Sequence, residues 1–186
     1  MIWGMSESKP FPARKPRKPR KLTETYFYNA ALHYLQRFSA PAEQLRRVLQ
    51  RKVMRAQMRG EETPPEAPQW IDKAVEKCVK LGFVNDQIFT EQKTLALRRQ
   101  GKARAFIAST LQQKGVDKAM IQDVLGHDAE DELNAAIRAV KRKRLGRDET
   151  PEGKQKDLAK LARGGFSLDV ARRAMAAVKS DQQDES

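Results

Sequence analysis

Most of the side chains with chemical potential in this sequence are cations. Arg46, Arg47, Arg51, Lys52, Arg55 and Arg59 crowd a single stretch. Steps of four residues place Arg47, Arg51, Arg55 and Arg59 close to one face of a helix. Helices commonly offset such a row with Glu or Asp four residues earlier, and here only Glu43 is available. The excess charge therefore calls for a partner outside the segment. A second group, Arg98, Arg99, Lys102 and Arg104, brackets Gly101; a third, Lys141, Arg142, Lys143, Arg144 and Arg147, surrounds Gly146. Each group alone is what an ordinary solvated face looks like. Three of them at related places read as a basic track.

Bond-making chemistry has no comparable support. There is no glycine-rich loop ending in Gly-Lys-Ser/Thr, no paired zinc-ligand spacing and no Gly-x-Ser-x-Gly turn. His33 and His127 fall in different segments, and Cys78 lies on an apolar stripe, where it reads as core packing. The expectation is a binding protein with no catalytic residue, no metal and no cofactor.

Those cations must be carried by helices. In 186 residues, 37 Lys and Arg face 24 Asp and Glu, a formal charge of +13, so a polyanion or a protein bound to one is the leading partner class. Hydrophobic residues are 39% of the chain, enough for a modest core, and no apolar run nears the roughly 20 residues of a membrane helix. A single cysteine excludes an internal disulfide and points to the cytoplasm. Apolar residues recur at helical steps, as in Phe27, Ala31, Tyr34, Leu35 and Phe38 or Leu133, Ala136, Ile137 and Val140, and no segment alternates as a strand would. Gly82, Gly101, Gly115, Gly126, Gly146 and Gly165 fall where stripes end; Asp117 and Ser167 stand where helices begin.

The chain also repeats. A shift of about 62 residues brings Phe27, Leu45, Leu49 and Lys52 onto Phe89, Ile107, Leu111 and Lys114, and a shift of about 50 brings Gly115 and Val116 onto Gly165 and Phe166. The fold class expected is all-α, an elongated array of three tandem three-helix repeats. Residues 22–82 form the first, with a loop insertion at 56–69 marked by Gly60, Pro64, Pro65 and Pro68; residues 83–126 and 127–179 form the second and third. Residues 1–21, with four prolines and seven cations, are expected to be a disordered basic arm, either clinging to phosphates or merely solubilising, and residues 180–186 a frayed acidic tail.

The run Leu81-Gly82-Phe83-Val84-Asn85-Asp86-Gln87-Ile88-Phe89, followed by Gly101-Lys102, Ile107, Leu111 and Gln113-Lys114-Gly115-Val116, resembles the RecX family. Leu45-Arg46-Arg47-Val48-Leu49 is similar to that family's first unit, and Arg163-Gly164-Gly165-Phe166-Ser167 to its last. Six positions depart from the pattern: Asn85 stands where an acidic residue is usual, Leu95 and Leu97 replace basic residues, Ala103 a glycine, Thr110 a glutamate, and Val53 stands where the first unit would have its turn glycine. The resemblance implies a bacterial regulator of the RecA recombinase, a monomer lying in the groove of the RecA filament on single- or double-stranded DNA. There it would hold back filament growth, ATP hydrolysis and strand exchange. In that setting Leu45, Leu49, Phe89, Ile107, Leu111 and Val124 are expected core, and Gly101 and Gly115 hinges between helices. The three cationic groups are the contact surface. The alternative is a DNA-binding helical module that needs no recombinase, with a recognition helix starting near Lys118; the run Ala119, Met120, Ile121, Val124 and Leu125 makes that helix a poor reader of bases.

Overall fold

Every regular element among the described residues, 21–126, 129–148 and 150–184 of the computed structural model, is a helix. The first unit holds α1 (Glu24–Leu35), α2 (Ala42–Met58) and α3 (Ala67–Lys80), and the second holds α4 (Asp86–Arg99), α5 (Arg104–Gln113) and α6 (Lys118–Leu125). The third holds α7 (Ala129–Lys143), α8 (Pro151–Arg163) and α9 (Leu168–Asp184). The basic arm proposed for residues 1–21 and His127 lie, but for Lys21, outside the described residues.

Local chemistry sets most helix starts. Thr23, Asp117, Thr150 and Ser167 each accept a backbone N–H with the side-chain oxygen. Asn85 does the same for Ile88 at 2.9 Å, so the amide that replaces an acidic residue still caps α4. Two boundaries differ from expectation. The connection between α2 and α3 spans only 59–66, because α2 continues to Met58 with Ala56 buried, and Pro68 lies in the first turn of α3, where a missing N–H costs nothing. At the other end, α9 runs through Asp184 instead of fraying at Ser180.

Each unit closes over its own apolar cluster. Phe27, Leu45, Leu49, Ile71, Val75 and Cys78 fill the first; burial pushes the Cys78 thiol up, which keeps it protonated as a packing group. Phe89, Leu97, Ile107, Leu111, Ile121 and Leu125 fill the second, with Val124 only half-buried at its edge. The third is built of small residues, Ala135, Ala136, Ala139, Ala171 and Ala174, around Val140, Leu161 and Phe166, and this lets α7 and α9 pack closely. Ala103, from the second unit, belongs to that third cluster. The last unit therefore does not finish its core alone.

Among the described residues, buried polar side chains are paired with one exception. Asp157 is nearly inaccessible; burial pushes its carboxyl up, but the Gly146 N–H and the Lys160 ammonium, each at 2.8 Å, outweigh that and hold it below the usual carboxylate range. Thr90 donates its hydroxyl to the Asp86 carbonyl at 2.6 Å. One turn later the buried Thr94 hydroxyl has no partner. Thr94→Val, which keeps the shape and removes the unsatisfied group, is expected to stabilise the protein by about 1 kcal/mol. A urea midpoint at or below that of the wild type would show that this hydroxyl is satisfied in solution.

Candidate interaction surface

The row on α2 does not point outward as a whole. Arg46 bonds Asp72 of α3 at 2.8 Å and Glu43 at 2.7 Å, which ties α2 to α3 inside the first unit. Arg47 bonds Glu43 at 3.0 Å and donates to the Gln113 carbonyl of the second unit at 2.9 Å. The hydrogen bond from Arg46, together with that from Arg47, overcomes burial and holds the Glu43 carboxyl below its ordinary value. At the other end of the row Arg59 is clasped by Glu61 at 2.6 and 3.0 Å. Between these anchored ends, Arg51 and Arg55 are exposed and their side chains make no hydrogen bond or ion pair among the described residues. Lys52 is half-buried on the α1 side of α2, beside Tyr26, Asn29 and His33.

The second and third groups, separate in sequence, meet at one junction. Arg98 is bonded to Asp131 of α7 and donates to the Leu125 carbonyl at 2.9 Å, while Arg142 donates to the Gln100 carbonyl. Arg138, which the charge runs did not single out, reaches back to the Arg98 carbonyl at 3.1 Å. Lys102 lies over the Phe106 ring at 4.7 Å. Arg104 is half-exposed and Lys141 exposed. The side chains of Arg99, Lys143 and Arg144 are exposed and make no hydrogen bond or ion pair among the described residues.

What joins the units is one geometry used twice. The N-cap of α2 is Pro41 and that of α5 is Ala103, neither of which has a side chain able to cap. In both cases a carboxylate from the first helix of the next unit does the work. Asp86 accepts the Ala42 N–H at 2.8 Å, and Glu132 accepts the Arg104 N–H at 3.0 and 3.2 Å. Ala42 and Arg104 are 62 residues apart, the register of the repeat.

The turn glycines obey the same register. A Cβ on Gly115 would lie 2.3 Å from Glu43 Cγ, at the second residue of α2, and one on Gly165 would lie 3.6 Å from Ala105 Cβ, at the second residue of α5. The methyl of Ala103 fits in the space over Gly165, at 3.3 Å from that point. A Cβ on Gly101 would lie 2.9 Å from the Ala139 nitrogen of α7, so Gly101 and Gly115, expected as hinges between helices, are places where neighbouring units touch. Lys114 adds a bond from its ammonium to Gln44 at 3.0 Å. Of the motif residues, Leu45, Leu49, Phe89, Ile107, Leu111 and Phe166 are buried, Gly82 is an exposed turn, and Phe83 is 54% exposed.

Glu132 carries a test of the second junction. Burial pushes its carboxyl above the ordinary range, and the Arg104 N–H and the nearby Arg98 and Arg104 charges only partly offset this. The folded protein therefore gains stability from this group as pH falls from neutral through its raised value, and loses it again as pH rises. Glu132→Gln retains an acceptor for the Arg104 N–H without the charge. Its stability relative to wild type is expected to be greatest near pH 7 and to shrink toward pH 5. A difference constant over that range would show that Glu132 is not desolvated in this way.

These features define a class: an all-helical repeat protein whose three-helix units are locked in series and which leaves Arg51, Arg55, Arg99, Lys143 and Arg144 facing solvent. Residues 85–125 match the sequence profile of the second three-helix domain of RecX. The chain is 39% identical over 171 residues to regulatory protein RecX of Myxococcus xanthus, covering 87% of this chain and 90% of that protein. With regulatory protein RecX of Halorhodospira halophila it shares 32% over 150 residues, covering 79% and 87%. The chain belongs to the RecX family of regulatory proteins. The crystal structure of RecX from Lactobacillus salivarius has the same fold, with a TM-score of 0.63 at 19% identity over 84% of this chain and 96% of that one. Among the described residues no helix is long and apolar enough to cross a membrane, and no three metal-binding side chains are grouped to hold an ion.

Proposed function

We propose that this protein regulates the RecA recombinase by lying along the RecA filament on DNA, where it restrains filament growth, ATP hydrolysis and strand exchange. The observation that carries the reading is the twice-used junction. Because the same carboxylate cap and the same glycine contact fix the second unit on the first and the third on the second, the cations that remain open are held at set separations. A ligand that itself repeats, as a filament does, is engaged at several points at once by such an array, and weak contacts then sum. Arg51 and Arg55 on the first unit, and Arg99, Lys143 and Arg144 at the second junction, supply those contacts. The action is steric and electrostatic, in the cytoplasm, as a monomer, without metal, nucleotide or covalent chemistry.

RecA ATPase on single-stranded DNA tests this. Wild-type protein is expected to inhibit at micromolar concentration. The double variant Arg51→Ala/Arg55→Ala should need about tenfold more protein, equivalent to roughly 1.4 kcal/mol of binding, while melting as wild type because exposed cations contribute little to stability. Arg47 is left intact because it bonds across the junction. Wild-type protein without effect on ATPase or filament length would overturn the proposal. A base-reading helix-turn-helix fits less well: α6 buries Ile121 and Leu125 and exposes Lys118, Ala119, Gln122 and Asp123.

A further inference from the structure

Tyr26, Asn29, Ala30 and His33 occupy α1 at spacings that stack them along one side of the helix. With Lys52 of α2 they line an open groove of about 370 Å³, and no lining residue is acidic. The Tyr26 ring is half-exposed and is backed edge-on by Phe27, with centroids 5.4 Å apart and planes at 76°, so it is held in place while one part stays open. Lys52, Arg55 and Arg59 follow one another at steps of three and four on the flank of α2 next to this groove. Arg59 is clasped by Glu61, but Arg55, and Arg51 one turn before it, are open.

An anchored aromatic ring, an amide, an imidazole and a line of cations on one strip suit a particular ligand. A bare anion has no use for the ring. An enclosed apolar metabolite would need a deeper and less charged cavity. A single-stranded polynucleotide uses every part: bases stack on the ring, the amide and imidazole meet base edges, and the backbone follows the cations. We infer that the α1–α2 groove of the first unit is a single-stranded nucleic-acid site, in which a base stacks on Tyr26 between Asn29 and His33 while adjoining phosphates lie along Lys52, Arg55 and Arg51. This goes beyond regulation of a recombinase and does not depend on it, since the ligand is naked nucleic acid.

The test uses the full chain and fluorescein-labelled dT12 and U12, read by anisotropy at low salt. Wild-type protein is expected to bind both. Tyr26→Phe should bind as wild type, and Tyr26→Leu, with no change of charge, should weaken binding about tenfold, the effect of losing one stacked base. Lys154→Ala/Lys156→Ala, which removes two exposed positive charges from α8 in the third unit, should weaken it less than threefold. Failure of both oligonucleotides to bind, wild-type affinity in Tyr26→Leu, or an equal loss in the distant charge variant would overturn the inference. Should Tyr26→Leu unfold, photo-crosslinking of unaltered protein to a 5-bromodeoxyuridine oligonucleotide decides the matter. The crosslink is expected on the tryptic peptide of residues 22–37, and crosslinks confined to other peptides overturn the site. Neither result depends on RecA, so the ATPase experiment can fail while this one succeeds, and the reverse.

Discussion

Gly101→Val is expected to cost about 2–5 kcal/mol and to release the third unit from the second. A Cβ at this position would lie 2.9 Å from the Ala139 nitrogen and 3.0 Å from the Ala135 oxygen, both backbone atoms of α7, which cannot rotate aside as a side chain would. The backbone at Gly101 is also left-handed, at φ +61°, a conformation hostile to a β-branched residue. The two penalties can be separated. Gly82 has φ +74° with nothing within 4 Å of its would-be Cβ, so Gly82→Val carries the conformational cost alone, about 1–2 kcal/mol. Pushing α7 away would also break the bonds from Arg98 to Asp131, from Arg138 to the Arg98 carbonyl and from Arg142 to the Gln100 carbonyl. Urea denaturation should show the larger loss for Gly101→Val, and hydrogen exchange should show early opening of α7. Equal losses in the two variants would mean that the helices do not approach as described.

The second large effect is expected from Leu111→Ala, at about 2–5 kcal/mol. Leu111 is fully buried among Phe89, Ile107, Val116 and Ile121, where removing three carbons leaves a cavity that α4, α5 and α6 must close over. Its carbonyl accepts the Lys114 and Val116 N–H groups that form the turn ending in Gly115. A shift of this residue therefore reaches the contact of Gly115 with Glu43 on the first unit. The second unit braces both neighbours, so the variant should lower the cooperativity of unfolding as well as its midpoint. Leu168→Ala, at a leucine 53% exposed, should change stability by less than about 0.5 kcal/mol and serves as the comparison. A Leu111→Ala midpoint matching that of Leu168→Ala would contradict the packing of the second core.

Much of the fold was legible beforehand. Helix ends were readable because a cap is an interaction within three residues, as at Asp117 with Ala119 and Met120. The 62-residue register was readable because core positions impose the same residue types each time, and it proved to relate the junction contacts as well. The α2–α3 connection was read too long because a proline in a first helical turn looks like a break in sequence and is none in structure. Leu97, noted as the loss of a cation, is buried core, and the loss of charge there is what lets α4 pack.

The surface was much less legible. Tyr26, Asn29 and Lys52 meet because α1 and α2 fold together, and no spacing along the chain announces it. By itself the sequence determined the helices, their ends, the repeat and the stock of positive charge, since all of these rest on residue type and on neighbours within a turn or so. Only the tertiary structure decided which cations bind within the molecule and which face outward. Arg46 finds Asp72 26 residues away and Arg47 finds the Gln113 carbonyl 66 residues away, pairings that exist because packing brings those groups within hydrogen-bond reach. Arg51 and Arg55, on the same helix and of the same charge, stay open because nothing among the described residues folds over them.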